Sequence, residues 1–261
     1  MNEEKITALE KKIQKEHGNI AGMVVLKDGR TVYENYFNGC GADDTIHVFS
    51  VTKSIVSILA ALDLLGGRKP AGEFRYMEMI GPDILSGLLA NATGQPVLDF
   101  AREALFEPLH IAVASNIVLY TPQEHVAFIK KNCASGWVAD EKGHNTAGWG
   151  LTLTAVDMAK IGQLYLDGGK WEGRQIVSEE WVAESTAEHS RWEKEKLSYG
   201  YLWWTGILNG YAAMGNSGNI IYVNPADKMV VSIAALFKPT AKDITEFIDK
   251  DVKPLFCGAE G

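Results

Sequence analysis

Both ends of the chain are rich in β-forming residues, whereas the long middle segment is not. Near the N-terminus, the run GMVVLKDGRTVYENYF predicts two strands joined at Asp28-Gly29 by a tight hairpin turn. Strands are also predicted at Tyr199–Thr205, Asn219–Pro225 and Lys228–Phe237, and a Pro-Ala-Asp-Lys turn joins the last two. We therefore expect one antiparallel sheet that both termini build, with the middle of the chain inserted between its strands.

Helices are predicted on either side of this sheet and throughout the inserted segment. An amphipathic helix is expected over Asn2–His17, and another near the C-terminus, where Ile244, Phe247, Ile248, Val252 and Leu255 share one face. Apolar periodicity predicts further helices at Ile84–Ala92, Val97–Phe106, Ala155–Leu166 and Ser178–Ser185. The expected fold class is α+β. A single domain over residues 1–261 would have an α/β lobe (1–49 and 199–261) and a helical lobe (50–198).

Charge and hydropathy exclude several classes of function. The 261 residues include 25 Lys and Arg against 33 Asp and Glu, for a formal net charge of −8 and no basic run, so nucleic acid is not an expected partner. The longest apolar stretch, Ile55–Leu65, contains Asp63 and is about half of a bilayer span, so no membrane segment is expected. The charged residues at the start do not resemble a secretory signal, which predicts a cytoplasmic location.

The cysteines and histidines give no pattern of a metal site. Cys40, Cys133 and Cys257 are widely spaced, without a CxxC pair or a histidine at ligand intervals, and we expect free thiols. The six histidines are scattered, and only His47 lies near a segment with catalytic features. Neither a metal ion nor an organic cofactor is expected.

The most informative segment is HVFSVTKSIV, residues 47–56. Ser50 stands where a polar residue would begin a helix, and the residues that follow are apolar almost all round, which predicts a buried helix. Lys53 follows three residues later and would share a helix face with Ser50. Burial lowers the pKa of a lysine, so an amine placed here could accept the serine proton, while backbone N–H groups at the helix start face a developing oxyanion. The alternative is that Ser50 is only a helix cap and Lys53 a surface residue.

S-x-x-K on a buried helix is a signature of β-lactamases and penicillin-binding proteins, and the rest of the chain supports that comparison. The supporting stretches, in order, are FSVTKSIVSIL, GEFRYMEMIGPDILSGLLANATGQPVLDFAREALFEPLHI, TAGWGLTLTAVDMAKIGQLYLDGGKWEGRQIVSEEWV, SYGYLWW and AMGNSGNIIYVNP. The chain resembles the serine β-lactamase and D-alanyl-D-alanine peptidase superfamily, nearest to its class C-like branch with family VIII carboxylesterases and 6-aminohexanoate-dimer hydrolases. This resemblance implies a β-lactamase/transpeptidase-like fold with Ser50 as the acylated nucleophile and Lys53 as its proton acceptor.

The second motif of the family is Tyr-x-Asn, and the matching position here is Tyr76-Met77-Glu78. By the resemblance, Tyr76 would share proton transfer with Lys53 and protonate the leaving group; a buried structural tyrosine is the alternative. Glu78 replaces the usual Asn, and a carboxylate there would favour the charged form of Lys53. Only 22 residues separate Lys53 from Tyr76, and the resemblance implies a longer interval, so part of the helical lobe is shortened.

The third motif, a Lys- or His-containing triplet that ends in Gly, matches Ala213-Met214-Gly215. Gly215 fits a strand that passes close to substrate, and the backbone N–H of Asn216 would join that of Ser50 in the oxyanion hole. Ala213 lacks the cation that would pair with a substrate carboxylate. A plain glycine-rich turn over residues 215–218 is the alternative.

Aromatic residues are candidates for lining an apolar acyl pocket. These are Trp137, Trp149, Trp203 and Trp204, with Trp149 in the AGWG segment the strongest and a place in the core the alternative for each.

The expected function is that of a serine hydrolase which forms an acyl-enzyme and acts on a small ester or amide. Two alternatives are a catalytically impaired ligand-binding relative of the same fold and a penicillin-hydrolysing β-lactamase. The expected partner is therefore a small ester, amide or β-lactam-like substrate.

Overall fold

The computed structural model describes residues 3–63, 80–130, 132–133, 135–192 and 197–257. Its main feature is an antiparallel sheet. The strands of this sheet are β1 Ile20–Lys27, β2 Arg30–Tyr36, β10 Ser190–Trp192, β11 Leu197–Tyr199, β12 Trp204–Ile207, β13 Gly210–Gly215, β14 Asn219–Asn224 and β15 Met229–Ala235. Their order is β10-β11-β12-β13-β14-β15-β1-β2, so that the N-terminal hairpin adds to strands from the C-terminal half. The expected sheet from both termini is confirmed.

Short strands lie between the two ends of the chain. They are β3 Thr45–His47, β4 Ser115–Ile117, β5 Asn132–Cys133, β6 Gly136–Val138, β7 Thr152–Leu153, β8 Lys170–Trp171 and β9 Arg174–Gln175. Strand β3 pairs with β5 and β7, and it leads directly into the segment that carries Ser50.

The helices follow the predicted periodicities closely. They are α1 Glu3–Glu16, α2 Val51–Asp63, α3 Ile80–Thr93, α4 Val97–Ala101 with a π-helical turn Arg102–Phe106, α5 Pro122–Lys130, α6 Ala155–Leu166, α7 Glu179–Ser185, and α8 Ile244–Phe247 with a π-helical turn Ile248–Val252 and α9 Lys253–Phe256. The apolar periodicity of the sequence does not predict helix α5. Within the described ranges, no helix has both the length and the apolar character needed to cross a bilayer.

Alternation of side chains along the strands divides the core between the two faces of the sheet. In β1, Val24 packs with α2 and α6 on one face, whereas Met23 and Val25 pack with α1 and the C-terminal helices on the other. Helix α6 belongs in sequence to the segment 50–198, yet it packs on β14 and β15. Gly162 permits this approach, since a Cβ there would lie 2.5 Å from Cγ1 of Val230.

The predicted strand over Tyr199–Thr205 is wrong. Strand β11 ends at Tyr199, a turn follows, and β12 begins at Trp204. The N–H of Gly200 donates to the carbonyl of Trp203 at 2.8 Å, and Leu202 has a positive φ of 63°. Apolar and aromatic residues favour strands locally, but here hydrogen bonds from serine side chains of helix α2 hold the backbone in a turn.

Candidate active site

Ser50 lies at the junction between strand β3 and helix α2. The first turn of the helix closes through hydrogen bonds from the N–H groups of residues 51–53 to the carbonyls of residues 48–50, at 3.1–3.2 Å. Phe49 has a φ of 49°, in the left-handed region that few non-glycine residues adopt. Helix α2 is buried because Ile55, Val56 and Leu59 are covered on all sides. The strained turn therefore presents Ser50 at the start of a helix that is fixed in the core.

Ser50 and Lys53 line one small cavity. Its volume is about 20 Å³, enough for about one water molecule. Among the described residues its lining is Ser50, Lys53, Ser54, Tyr199, Leu202, Trp204 and Met214. Ser50 is half-buried, whereas Lys53 is only 6% exposed. A hydroxyl and an amine are thus held together in a site that is largely closed to solvent.

Strand β13 passes against the turn that carries Ser50. A Cβ on Gly215 would lie 2.4 Å from the carbonyl oxygen of Val48 and 3.2 Å from the backbone nitrogen of Ser50. Such distances are below van der Waals contact, so only glycine allows this approach. Asn216, which directly follows, is thereby brought beside the nucleophile segment.

Ala213 lies two residues before Gly215 in β13 and is completely buried. Its side chain belongs to the cluster that includes α2 and α6, while the adjacent Met214 lines the cavity. The structure therefore places position 213 in the core beneath the strand, not on the surface of the cavity.

His47 connects the nucleophile segment to the loop that carries Trp149. Its Nε2 accepts a hydrogen bond from the N–H of Gly150 at 2.9 Å, and the N–H of Val48 donates to the carbonyl of Leu151 at 3.0 Å. His47 is 1% exposed, and its Nδ1 has no hydrogen-bond partner among the described residues. Burial lowers the pKa of His47 to about 3, with a smaller contribution from His125. The imidazole is therefore neutral at physiological pH and acts as a hydrogen-bond acceptor.

Trp149 lies in an aromatic cluster beside this connection. Its ring stacks on His125 at a centroid distance of 4.5 Å and contacts the edge of His47 at 5.6 Å, with Phe128 close by. Trp149 is half-buried and is not among the described residues that line the Ser50 cavity. The cluster joins strand β3, helix α5 and the Trp149 loop.

The other tryptophans divide between core and site. Trp137 and Trp203 are fully buried, and Trp203 stacks on Tyr165 at 4.4 Å. Trp204 lines the cavity, and its ring contacts Tyr199 edge-on at 4.6 Å. Tyr199, Leu202 and Ser54 were not predicted from the sequence as lining residues. For Tyr199 and Leu202, the run of aromatic residues in SYGYLWW is the sequence feature that could have indicated them.

Two predicted site residues, Tyr76 and Glu78, fall outside the described residues, so their roles stay predictions. Within the described ranges, no group of three or more His, Cys, Asp or Glu side chains could hold a metal ion.

Comparison with known proteins identifies the family. The sequence model of the Beta-lactamase family matches residues 67–246. A curated relative, the 6-aminohexanoate-dimer hydrolase of Paenarthrobacter ureafaciens, is 25% identical over 193 residues. The aligned region covers 69% of this chain and 44% of that hydrolase, so the chain spans less than half of the relative's length.

Solved structures share the fold. An octameric penicillin-binding protein homologue from Pyrococcus abyssi aligns with a TM-score of 0.70 at 16% identity, over 96% of this chain and 77% of that one. A β-lactamase from Mycobacterium bovis aligns with a TM-score of 0.66 at 16% identity, over 95% and 99%. The expected β-lactamase/transpeptidase-like α+β fold is confirmed. Because the family model matches most of its length and the fold agrees, the chain belongs to the β-lactamase family of the serine β-lactamase-like superfamily, whose relatives include hydrolases.

Proposed function

We propose that this protein is a serine hydrolase that forms an acyl-enzyme at Ser50 and hydrolyses a small ester or amide. The observation that carries the proposal is the common cavity of Ser50 and Lys53 at the start of a buried helix. A serine hydroxyl is a weak nucleophile unless a base lies beside it, and the buried amine of Lys53 is suited to that role.

In the acylation step, Ser50 Oγ attacks the substrate carbonyl carbon while its proton passes to Lys53 Nζ. Removing a lysine from water disfavours its charged form, which increases the fraction able to accept a proton. The new Oγ–C bond creates a tetrahedral oxyanion. The backbone N–H groups of Ser50 and Asn216 are the proposed donors to that oxygen, because the contact at Gly215 brings the two segments together.

Collapse of the intermediate breaks the bond to the leaving alcohol or amine. The leaving group takes the proton from Lys53, with Tyr76 as the proposed relay. Water then attacks the acyl carbon, its proton returns through the same groups to Ser50 Oγ, and the carboxylic acid departs. The first half-reaction leaves Ser50 acylated, and the second restores both Ser50 and Lys53 to their starting states.

The third motif offers no partner for an anionic substrate. Ala213-Met214-Gly215 contains no cation, and Ala213 itself is buried in the core beneath β13. Burying an unpaired anion costs several kcal/mol, so neutral substrates are favoured. The same feature, together with Glu78, supports the second candidate, a ligand-binding relative with impaired catalysis. Likeness to a β-lactamase fold keeps penicillin hydrolysis as the third candidate.

The test is the mass of the intact protein after exposure to a fluorophosphonate. We expect one adduct on the parent protein and none on Ser50→Ala, which should also lose hydrolysis of p-nitrophenyl acetate. Ser178→Ala is a matched control, because Ser178 caps helix α7 by accepting from the N–H of Trp181 at 3.1 Å and lies elsewhere in the fold. Loss of a helix cap costs about 0.5–2 kcal/mol, so both variants should fold.

The three candidates give different results. An adduct on Ser50→Ala at the parental rate would disprove the nucleophile assignment. A parent protein that neither labels nor turns over ester, yet binds one, is the impaired relative. Acylation by penicillin as fast as by a neutral ester would identify the β-lactamase.

A further inference from the structure

The turn between β11 and β12, residues 199–204, forms one wall of the Ser50 cavity. Tyr199, Leu202 and Trp204 line the cavity from this turn, and Met214 lines it from β13. Together they place two aromatic residues, a leucine and a methionine around the cavity that Ser50 and Lys53 also line. Leu202 is the aliphatic residue that this turn contributes to the lining.

Leu202 is held in a conformation that leucine avoids. Its φ of 63° lies in the left-handed region, which glycine adopts readily and a side chain with a Cβ does not. Residues held in such conformations persist only where their surroundings impose them, and they concentrate at functional sites.

Two hydroxyls of the nucleophile helix impose this conformation. Ser54 Oγ donates to the carbonyl of Leu202 at 2.5 Å, and Ser57 Oγ donates to the carbonyl of Tyr201 at 2.6 Å. Both serines are buried. The turn is thus fixed to the helix that carries Ser50 and Lys53, so its position relative to the nucleophile is set.

The other side of the turn is fixed as well. The ring of Tyr201 stacks on His189 at 4.0 Å and on Trp181 at 5.5 Å, and the N–H of Tyr201 donates to the carbonyl of Ser185 at 2.9 Å. A Cβ on Gly200 would lie 2.2 Å from the same carbonyl oxygen. Because the turn is held on both sides, it acts as a rigid wall.

We propose that Leu202 sets the length of the acyl group that the enzyme accepts, by closing the cavity beside Ser50 so that acetyl fits and longer chains do not. The inference rests on the proposed acyl-enzyme at Ser50. The cavity of about 20 Å³ holds about one water molecule, which is close to the size of a single methyl group.

The acyl group, and not the leaving group, is the part of the substrate assigned to this wall. In the acyl-enzyme the acyl carbon is bonded to Ser50 Oγ, so the chain attached to it stays within a few bonds of the cavity through both half-reactions. The leaving group departs after the first. A wall beside Ser50 therefore acts on the acyl chain in acylation and again in deacylation.

The experiment compares p-nitrophenyl acetate with p-nitrophenyl butyrate, which share a leaving group and differ by two methylenes. Leu202→Gly removes the side chain and relieves the positive φ, so the variant should fold. We expect the ratio of kcat/KM for butyrate over acetate to rise about tenfold, the effect of burying two methylenes in the space that the leucine side chain leaves. Leu202→Ala, which keeps the Cβ, is the second variant and should move the ratio in the same direction.

Leu208→Gly is the matched control. Leu208 is also half-buried with a positive φ, of 49°, but it packs on the α1 face of the sheet and does not line the cavity. The same substitution there should leave the ratio at the parental value.

Several outcomes would overturn the inference. One is an unchanged ratio in both Leu202 variants, and another is an equal rise in Leu208→Gly. A third is that the Leu202 variants change the relative kcat/KM values only among acetate esters of different alcohols, which would assign the wall to the leaving group. A parent protein inert to esters and to fluorophosphonate would overturn the proposed function, and this inference with it.

Discussion

His47 should make the protein lose stability in mild acid. Burial holds its pKa near 3 in the folded state, compared with an ordinary value of 6.5, which the unfolded chain should show. The stability that comes from the neutral imidazole is complete above pH 6.5 and is lost as the pH falls towards 3. At 1.36 kcal/mol per pKa unit the full effect is about 5 kcal/mol, of which about 2.5 kcal/mol should be lost between pH 7 and pH 4.5.

His47→Gln isolates this effect. The glutamine amide oxygen can accept the hydrogen bond from the N–H of Gly150, but the side chain does not titrate. Urea unfolding of both proteins at pH 7, 6, 5 and 4.5 gives the difference in unfolding free energy. His17, whose pKa is also lowered by burial, is present in both proteins and cancels.

Between pH 7 and pH 4.5, the unfolding free energy of the parent protein should fall by about 2.5 kcal/mol relative to that of His47→Gln, whatever the difference at pH 7. A difference that stays constant with pH would refute the reasoning. It would mean that the folded protein takes up the proton at an ordinary pKa and loses the hydrogen bond from Gly150 at no cost in stability.

Two further substitutions test the strand beside Ser50. Gly215→Ala should abolish esterase activity while leaving a folded protein, because the added Cβ would meet the carbonyl of Val48 and displace the strand from Ser50. Circular dichroism and turnover of p-nitrophenyl acetate check the fold and the activity. Parental activity would mean that the two segments need not touch. Ala213→Lys should lower the unfolding free energy by at least about 2 kcal/mol, since an ammonium would enter the core. The corresponding fall in Tm is about 4–8 °C. An unchanged Tm together with faster acylation by carboxylate-bearing β-lactams would show that the lysine reaches the cavity.

The sheet and most helices could be predicted because their signals are local. The Asp28-Gly29 turn adopts positive φ values of 50° and 70°, as a tight hairpin requires, and strands β1 and β2 pair on either side of it. The period of apolar residues gives α6 with the predicted bounds of Ala155–Leu166. Resemblance then indicated Ser50 and Lys53, and the structure brings the two into one cavity.

Contacts between distant segments decided the rest. The sequence alone could not indicate that Ser54 and Ser57 bend Tyr199–Thr205 into a turn, because these serines lie about 145 residues away in the chain. Nor could it show which face of β13 holds Ala213, since strand alternation assigns neighbours to opposite faces without saying which face meets the site.

What the sequence by itself determined is most of the helices, the strands of the main sheet near both termini, and the chemical groups that these elements carry. These depend on backbone preferences and apolar spacing within a few residues. Only the tertiary structure decided that His47 is neutral and bonded to Gly150, and that Leu202 lines the same cavity as Ser50. Burial and close contact are properties of packed segments, and no single segment contains them.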